Sequence, residues 1–305
     1  HRHRAGEPKT IPQMTEPAKG HIAMFLFAAL VSGSFSLGGM AAPYLDPGAF
    51  NAVRFVIAAI AMGMVAYFSG GMETRHFTTA PWRYVLLGST LALYFVTMFE
   101  ALQITDPVST GAVFTLTPVM SAIFGYLLLR QVTTPFNALA IAIGGAGAVW
   151  VIFRGDVDAI LGFEVGPGEK LFFFGAAAHA FYAPLVRKLN RGEPVAAFAF
   201  GTIVAAMILI AIWAGKDLVR TDWAAMPAIV WITILYTAIG ATMMSFLCIQ
   251  FATLRLPSGK VMAYTYLTPS FVILWEAALG HGWAAGTVWL GAAASVLGLA
   301  LLAWR

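Results

Sequence analysis

Charge is what this 305-residue chain has least of. Only 10% of its residues are charged and 60% are hydrophobic, with a mean hydropathy of +0.80, whereas a water-soluble domain carries about 25% charge. That balance excludes a soluble fold. Cysteine is nearly absent too: the lone Cys248 lies inside an apolar run, so no disulfide can form within the chain and the redox compartment leaves no mark. The N-terminal stretch His1 to Lys19 has three prolines, no apolar run and no initiator Met; it reads as a trimmed or engineered start without a signal peptide. No Ser/His/Asp, paired-Asp or His-rich constellation is evident, which disfavours an intramembrane enzyme. His179 has no His, Cys or carboxylate at i+3 or i+4, so no metal site can be built on it, and no cofactor motif is present.

What the chain has is length of apolar run. A bilayer crossing needs ~20 apolar residues, and ten stretches qualify: 20–41, 48–69, 82–103, 107–129, 134–153, 169–187, 194–214, 224–250, 257–279 and 283–304. They are apolar on all sides and too long for strands, which excludes a barrel with its alternating polar lumen face. The expected fold is an all-α polytopic membrane protein.

The ten stretches are one unit written twice. Leu116-Thr117-Pro118 returns 151 residues later as Leu267-Thr268-Pro269, with Ala101 on Ala252 and Gly147 on Gly298; upstream, Asp46-Pro47 answers Glu193-Pro194 at 147 residues and Trp82 answers Trp231 at 149. The expected organisation is an N-terminal cytoplasmic tail at 1–19, a five-helix repeat at 20–154, an outer linker at 155–167 and a second five-helix repeat at 168–305. An odd number of spans per copy inverts the second copy, the arrangement of secondary transporters with a midplane site between repeats. Positive charge sets the orientation. With the tail cytoplasmic, thirteen Lys and Arg fall on that side (Arg2, Arg4, Lys9, Lys19, Arg75, Arg83, Arg130, Arg187, Lys188, Arg191, Arg255, Lys260, Arg305) and four on the other (Arg154, Lys170, Lys216, Arg220). The same bias accounts for the pI near 9.3 without a nucleic-acid surface.

Candidate functional residues are the polar groups stranded inside the spans. Arg54 and Glu100 each sit about 10 Å deep from the outer side at 1.5 Å per residue, and matched depth with opposite sign predicts an ion pair, with gating or proton coupling as the alternative. Glu276 lies near the outer end of the ninth span and is a candidate cavity residue. His179, at the middle of the sixth span, corresponds to Ser32 in the repeat register. Tyr94, Tyr182, Tyr236, Tyr264 and Tyr266 fall at midspan, where a phenol must satisfy its hydroxyl inside the protein. With His179, Ser34, Thr97 and Thr115 they predict a cavity with aromatic walls and a few hydroxyls, suited to small amphipathic molecules such as aromatic or neutral amino acids; ordinary core packing is the competing reading. Pro118 and Pro269 should bend their helices near the middle. Gly144/Ala148 and Gly291/Ser295 have small-xxx-small spacing, fit for close helix contact within a monomer or across a homodimer.

Gly33-Ser34-Phe35, Pro47, Arg54-Phe55-Val56 with Ala58-Ala59, Leu116-Thr117-Pro118-Val119, Gly125, Gly144-Gly145-Ala146-Gly147, and again Pro269 through Gly298, together resemble the EamA-type family of the drug/metabolite transporter superfamily. The resemblance spans the membrane part of the chain and implies export of small metabolites by alternating access. The chain departs from the family where many members end the fourth and ninth spans with Gly-Glu: here stand Arg130-Gln131 and Gly280-His281. Arg54 has no Arg counterpart in the second repeat, where Gly201 occupies the position.

The expectation is therefore a multi-pass inner-membrane transporter whose partners are the bilayer and a small solute, an uptake permease of the same fold being the alternative. With Cys248 replaced, Asn190→Cys is expected to stay shielded from an impermeant maleimide applied to intact cells and Asp156→Cys to react; the opposite labelling pattern inverts the orientation.

Overall fold

The computed structural model describes residues 15–162 and 164–303; the first fourteen residues of the expected tail, with Arg2, Arg4 and Lys9, lie outside the described residues, as does Arg305. Among the described residues every regular element is helical. The helices are α1 (Glu16–Ala41), α2 (Pro47–Phe68), α3 (Thr74–Thr78), α4 (Trp82–Leu102), α5 (Pro107–Phe114), α6 (Thr117–Leu129), α7 (Pro135–Ile152), α8 (Val157–Leu161), α9 (Pro167–Leu189), α10 (Val195–Arg220), α11 (Ala228–Ala238), α12 (Ser245–Thr253), α13 (Ser258–Ala263), α14 (Thr268–Ala278) and α15 (Gly286–Ala303). Eight stretches of the described residues are long and apolar enough to cross a membrane: α1, α2, α4, α5–α6, α7, α10, α11–α12 and α15. Running beside them are α9, with Glu169, Lys170, Arg187 and Lys188 near its ends, and the interrupted α13–α14.

Helix starts are punctuated by one repeated device. Thr15, Asp46, Asp106 and Thr134 accept a backbone N–H from the first turns of α1, α2, α5 and α7, and a proline follows each cap within two residues. The cap fills a free amide and the proline occupies a position that needs none. It is this Asp/Thr-Pro spacing, rather than a loss of apolarity, that sets the register of the crossings.

Each expected proline bend is instead a full break. Pro118 and Pro269 lie in the first turns of new helices, α6 and α14, where their missing N–H costs no bond. The chain turns at Thr115 and Leu116 before α6, and through a 3₁₀ turn at Tyr264–Leu267 before α14. Thr117 Oγ1 donates to the freed Phe114 carbonyl at 2.8 Å and lies 3.1 Å from Thr265 Oγ1, so the two breaks touch across the repeats. A third interruption, a π-helical turn at Ile239–Met244, separates α11 from α12; the apolar run 224–250 gives no sign of it.

The copies interleave. α1 of the first half packs on α11, α12 and α14 of the second, and α9 packs on α4, α5 and α6 of the first, while α2 lies along α10 and α7 along α15. The α7–α15 contact uses the small residues on both sides: Ser295 Oγ donates to the Gly144 carbonyl at 3.1 Å, and a Cβ on Gly147 would lie 2.4 Å from the Gly291 carbonyl oxygen. These faces are consumed inside one chain. Arg130 takes the left-handed conformation (φ 55°) that ends α6, and Gly280 has φ 82° after α14; this geometry explains why glycine suits both places. Gln131 accepts the Ser258 N–H at 3.0 Å and so caps the start of α13.

Because only backbone atoms and the Ala294 Cβ lie opposite Gly147, an added methyl has nothing flexible to displace. Gly147→Ala is expected to lose about 1–3 kcal/mol, read as a lower melting temperature in detergent. Gly215→Ala, which meets open space on the helical α10, is expected to hold or raise it.

Candidate functional site

At the level of the helix breaks the two halves meet in a sealed aromatic cluster. Tyr94 of α4 and His179 of α9 pack edge to face with ring centroids 4.4 Å apart. Phe114 lies 5.3 Å from His179 and 5.4 Å from Tyr94, and Phe172 lies 5.7 Å from Tyr94. Phe27 and Phe35 of α1 close one side, and Tyr182, 6.0 Å from His179, closes another. Thr97, one turn along from Tyr94, approaches Gly175 of α9 so closely that no Cβ fits there. Tyr94 is 1% exposed and His179 2%. Yet the Tyr94 hydroxyl and His179 Nδ1 have no hydrogen-bond partner. Buried polar groups are normally satisfied, so two orphans in adjoining rings distinguish this cluster from ordinary core.

The remaining midspan candidates are divided by their partners. Tyr182 joins the cluster, its hydroxyl accepting from Gln250 Nε2 at 2.8 Å. Tyr236 donates to the Leu30 carbonyl at 2.6 Å and packs edge to face against Trp275; Tyr264 bonds His21 Nδ1 at 2.8 Å; Tyr266 donates to the Ile141 carbonyl at 2.8 Å over Gly144. These three tie helices of one repeat to helices of the other and do not face His179. Ser34 turns its hydroxyl onto the Val31 carbonyl of its own helix, as hydroxyls in apolar helices commonly do.

The expected Arg54–Glu100 ion pair does not form. Arg54, 2% exposed, donates from Nε to Thr242 Oγ1 at 2.8 Å and from Nη2 to the Ala241 carbonyl at 3.3 Å, and lies 4.1 Å over the Phe95 ring. Glu100 stays half-buried near the end of α4. Equal depth does not set equal azimuth: the π turn presents a carbonyl and a hydroxyl to Arg54 where the sequence offered only a distant carboxylate. Such turns recur at functional sites. Glu276 pairs with His281 at the end of α14. Among the described residues no three His, Cys, Asp or Glu side chains gather into a metal-binding set.

Sequence reasoning missed the charged contacts that fasten the ends. Arg83, fully buried at the start of α4, pairs with Glu193 at 2.5 Å and donates to the Leu189 and Thr79 carbonyls at 2.7 and 2.8 Å. Glu16 and Arg255 meet at 2.7 Å at the same end. At the opposite end, beside the linker, the buried Glu169 accepts from Thr105 Oγ1 at 2.6 Å and Ser109 Oγ at 2.8 Å. All of these contacts except Arg83–Thr79 join the two halves. Arg83 had been counted only as a topology marker, and the acid it meets is 110 residues away in sequence (193 − 83).

A duplicated, interleaved bundle with a sealed centre matches known proteins at the family level. The EamA-like transporter family model matches residues 18–153 and again residues 166–304. The chain belongs to the EamA-like transporter family. It is similar to an uncharacterized transporter, YyaM, of Bacillus subtilis (strain 168), at 23% identity over 264 residues, which is 85% of this chain and 86% of that protein. A solved crystal structure shares the fold with a TM-score of 0.72 at 21% identity, over 93% of this chain and 96% of its own. This EamA-like protein is thus a multi-pass membrane transporter.

For the Glu193 carboxyl, burial acts to raise the pKa, but the Arg83 guanidinium and the backbone N–H groups around it outweigh burial and hold it below the ordinary range of a glutamate. A carboxyl lowered in the fold stabilises above its unfolded pKa and loses that contribution as pH falls through the folded one. Stability should therefore drop on acidification below about pH 4.5. Arg83→Met, which strands a buried charge, is expected to cost about 3–5 kcal/mol; the double variant Arg83→Met with Glu193→Gln should lose clearly less than the two single losses summed, as read by thermal unfolding in detergent.

Proposed function

We propose that this EamA-like protein is a ten-span secondary transporter of the inner membrane, its two five-helix repeats inverted, its termini cytoplasmic, and its solute moved by alternating access around the His179–Tyr94 cluster. The reading takes α9 and α13–α14 as the sixth and ninth crossings. It is supported chiefly by the two unpartnered polar atoms, Tyr94 Oη and His179 Nδ1, buried between rings contributed by both repeats. A solute that replaces packing there would gain hydrogen bonds that the protein alone leaves unmade. Neighbouring helix breaks at Thr115–Leu116 and Tyr264–Leu267 give each half a place to flex. The cargo we infer is a small amphipathic metabolite, aromatic and neutral amino acids among the first to test, and the direction we infer is export; one copy of the chain contains the whole cluster.

Counterflow into liposomes loaded with unlabelled solute tests transport. Tyr94→Phe is expected to slow counterflow at least tenfold while shifting the melting temperature little, since it removes no bond made in the resting fold; His179→Ala should slow counterflow likewise and also lower the melting temperature, because it opens a cavity among the packed rings. Unchanged apparent affinity in both variants would move the site elsewhere.

A further inference from the structure

Among the described residues Arg54 is the one buried guanidinium that meets no acid. Of its five N–H donors, the contacts described above use two, both toward neutral oxygens of the π turn. The buried charged residues are Arg54, Arg83, Glu169, Glu193 and, when protonated, His179; Arg83 and Glu193 satisfy each other and Glu169 belongs to the linker end, so no carboxylate is left for Arg54 among the described residues. A buried charge without a counter-ion is costly, and guanidinium geometry matches a carboxylate in a two-point fork. The path from Arg54 to the cluster is unbroken. Arg54 lies over Phe95, the Phe95 ring is 4.6 Å from Tyr94, and Tyr94 abuts His179.

We propose that Arg54 binds the carboxylate of the transported solute, with the solute's apolar body lying among Tyr94, Phe114, Phe172 and His179. The inference deepens the transport reading and rests on it. It also ranks solutes. No acidic side chain lies among the residues of the cluster to receive an ammonium, so an acid without an amino group should bind at least as well as the matching amino acid. The Tyr94 hydroxyl and His179 Nδ1 can hydrogen-bond a polar substituent on the body, such as an oxo or hydroxyl group.

The test uses the full chain purified in detergent and four probes sharing one phenyl ring: 3-phenylpropionate, phenylalanine, phenethylamine and 3-phenylpropanol. Thermal stabilisation is followed against probe concentration. 3-Phenylpropionate should stabilise, phenylalanine equally or less, and the amine and the alcohol not at all. Arg54→Gln should weaken the acid by roughly ten- to hundredfold, the scale of a lost charged hydrogen-bond pair, and Arg54→Lys by less. Should Arg54→Gln fail to fold, the wild-type comparison of acid with alcohol and the Arg54→Lys titration decide. Equal stabilisation by the alcohol, stabilisation by chloride with no further gain from the acid, or an unchanged acid response in Arg54→Gln or Arg54→Lys would overturn the inference. So would a wild-type protein that none of the carboxylates stabilises. Counterflow separates the two readings: solutes lacking a carboxylate moving while acids do not would remove the Arg54 assignment and leave transport standing, whereas no counterflow of any solute would remove both.

Discussion

Inside a bilayer no water reaches a freed carbonyl, so every interruption of a helix must find its hydrogen bonds within the protein. This constraint explains where the chain breaks and what surrounds each break. After Phe114 the hydroxyl of Thr117 takes over the carbonyl that Pro118 leaves open; at the 3₁₀ turn before α14 the hydroxyl of Thr265 donates to the Met262 carbonyl at 2.8 Å; and the π turn at Ile239–Met244 hands a surplus carbonyl, that of Ala241, to Arg54 and to Ser245 Oγ at 2.7 Å. All three breaks are buried between the halves. Had any faced lipid, the cost of its unpaired groups would have closed it into continuous helix. The breaks therefore mark the protein's inner surface.

The ends and the centre of the bundle are held differently. At one end Arg83–Glu193 and Glu16–Arg255 cross between the halves, and at the other Glu169 reaches Thr105 and Ser109. Polar contacts of this kind sit where water can replace them when they separate. The centre is held by ring packing, with hydroxyl and imidazole atoms left over. An assembly fastened by exchangeable bonds at both ends and by non-directional packing between them can open at either end without stranding a charge in hydrocarbon. On the proposed alternating-access reading, such fastening would keep two conformations close in energy, as alternation between sides requires.

Much of this was legible in the sequence. Hydropathy gave the helical class because lipid permits little else, and the Leu-Thr-Pro echo located the paired breaks because proline constrains local geometry wherever it falls. The aromatic centre was half legible. Tyr94, Thr97, His179 and Tyr182 lie near one another in a sealed cluster rather than around an open cavity, and Tyr236, Tyr264 and Tyr266 point into other helices, since a midspan position fixes depth and not direction. Phe114 and Phe172 could not be singled out among 23 phenylalanines in apolar runs. Arg54 was correctly flagged as needing compensation and given the wrong partner: the π turn that supplies it arises from tertiary packing and has no signature in the run from 224 to 250.

Duplication builds a scaffold twice without building a site twice. Gly201, the counterpart of Arg54, lies under the ring of Tyr84, whose Cε1 would be 2.6 Å from any Cβ there, and Tyr84 is itself fixed by its hydroxyl on the His76 carbonyl at 2.7 Å. An arginine cannot enter that place without expelling the ring. The helix breaks at Pro118 and Pro269 are thus related by the sequence repeat, whereas Arg54 stands on α2 alone. A solute held there would sit off the axis relating the halves, fixed to one of them while the other moves past it. On the proposed alternating-access reading, a difference in affinity between the two open forms follows from which half carries the arginine, whatever the contacts at the two ends.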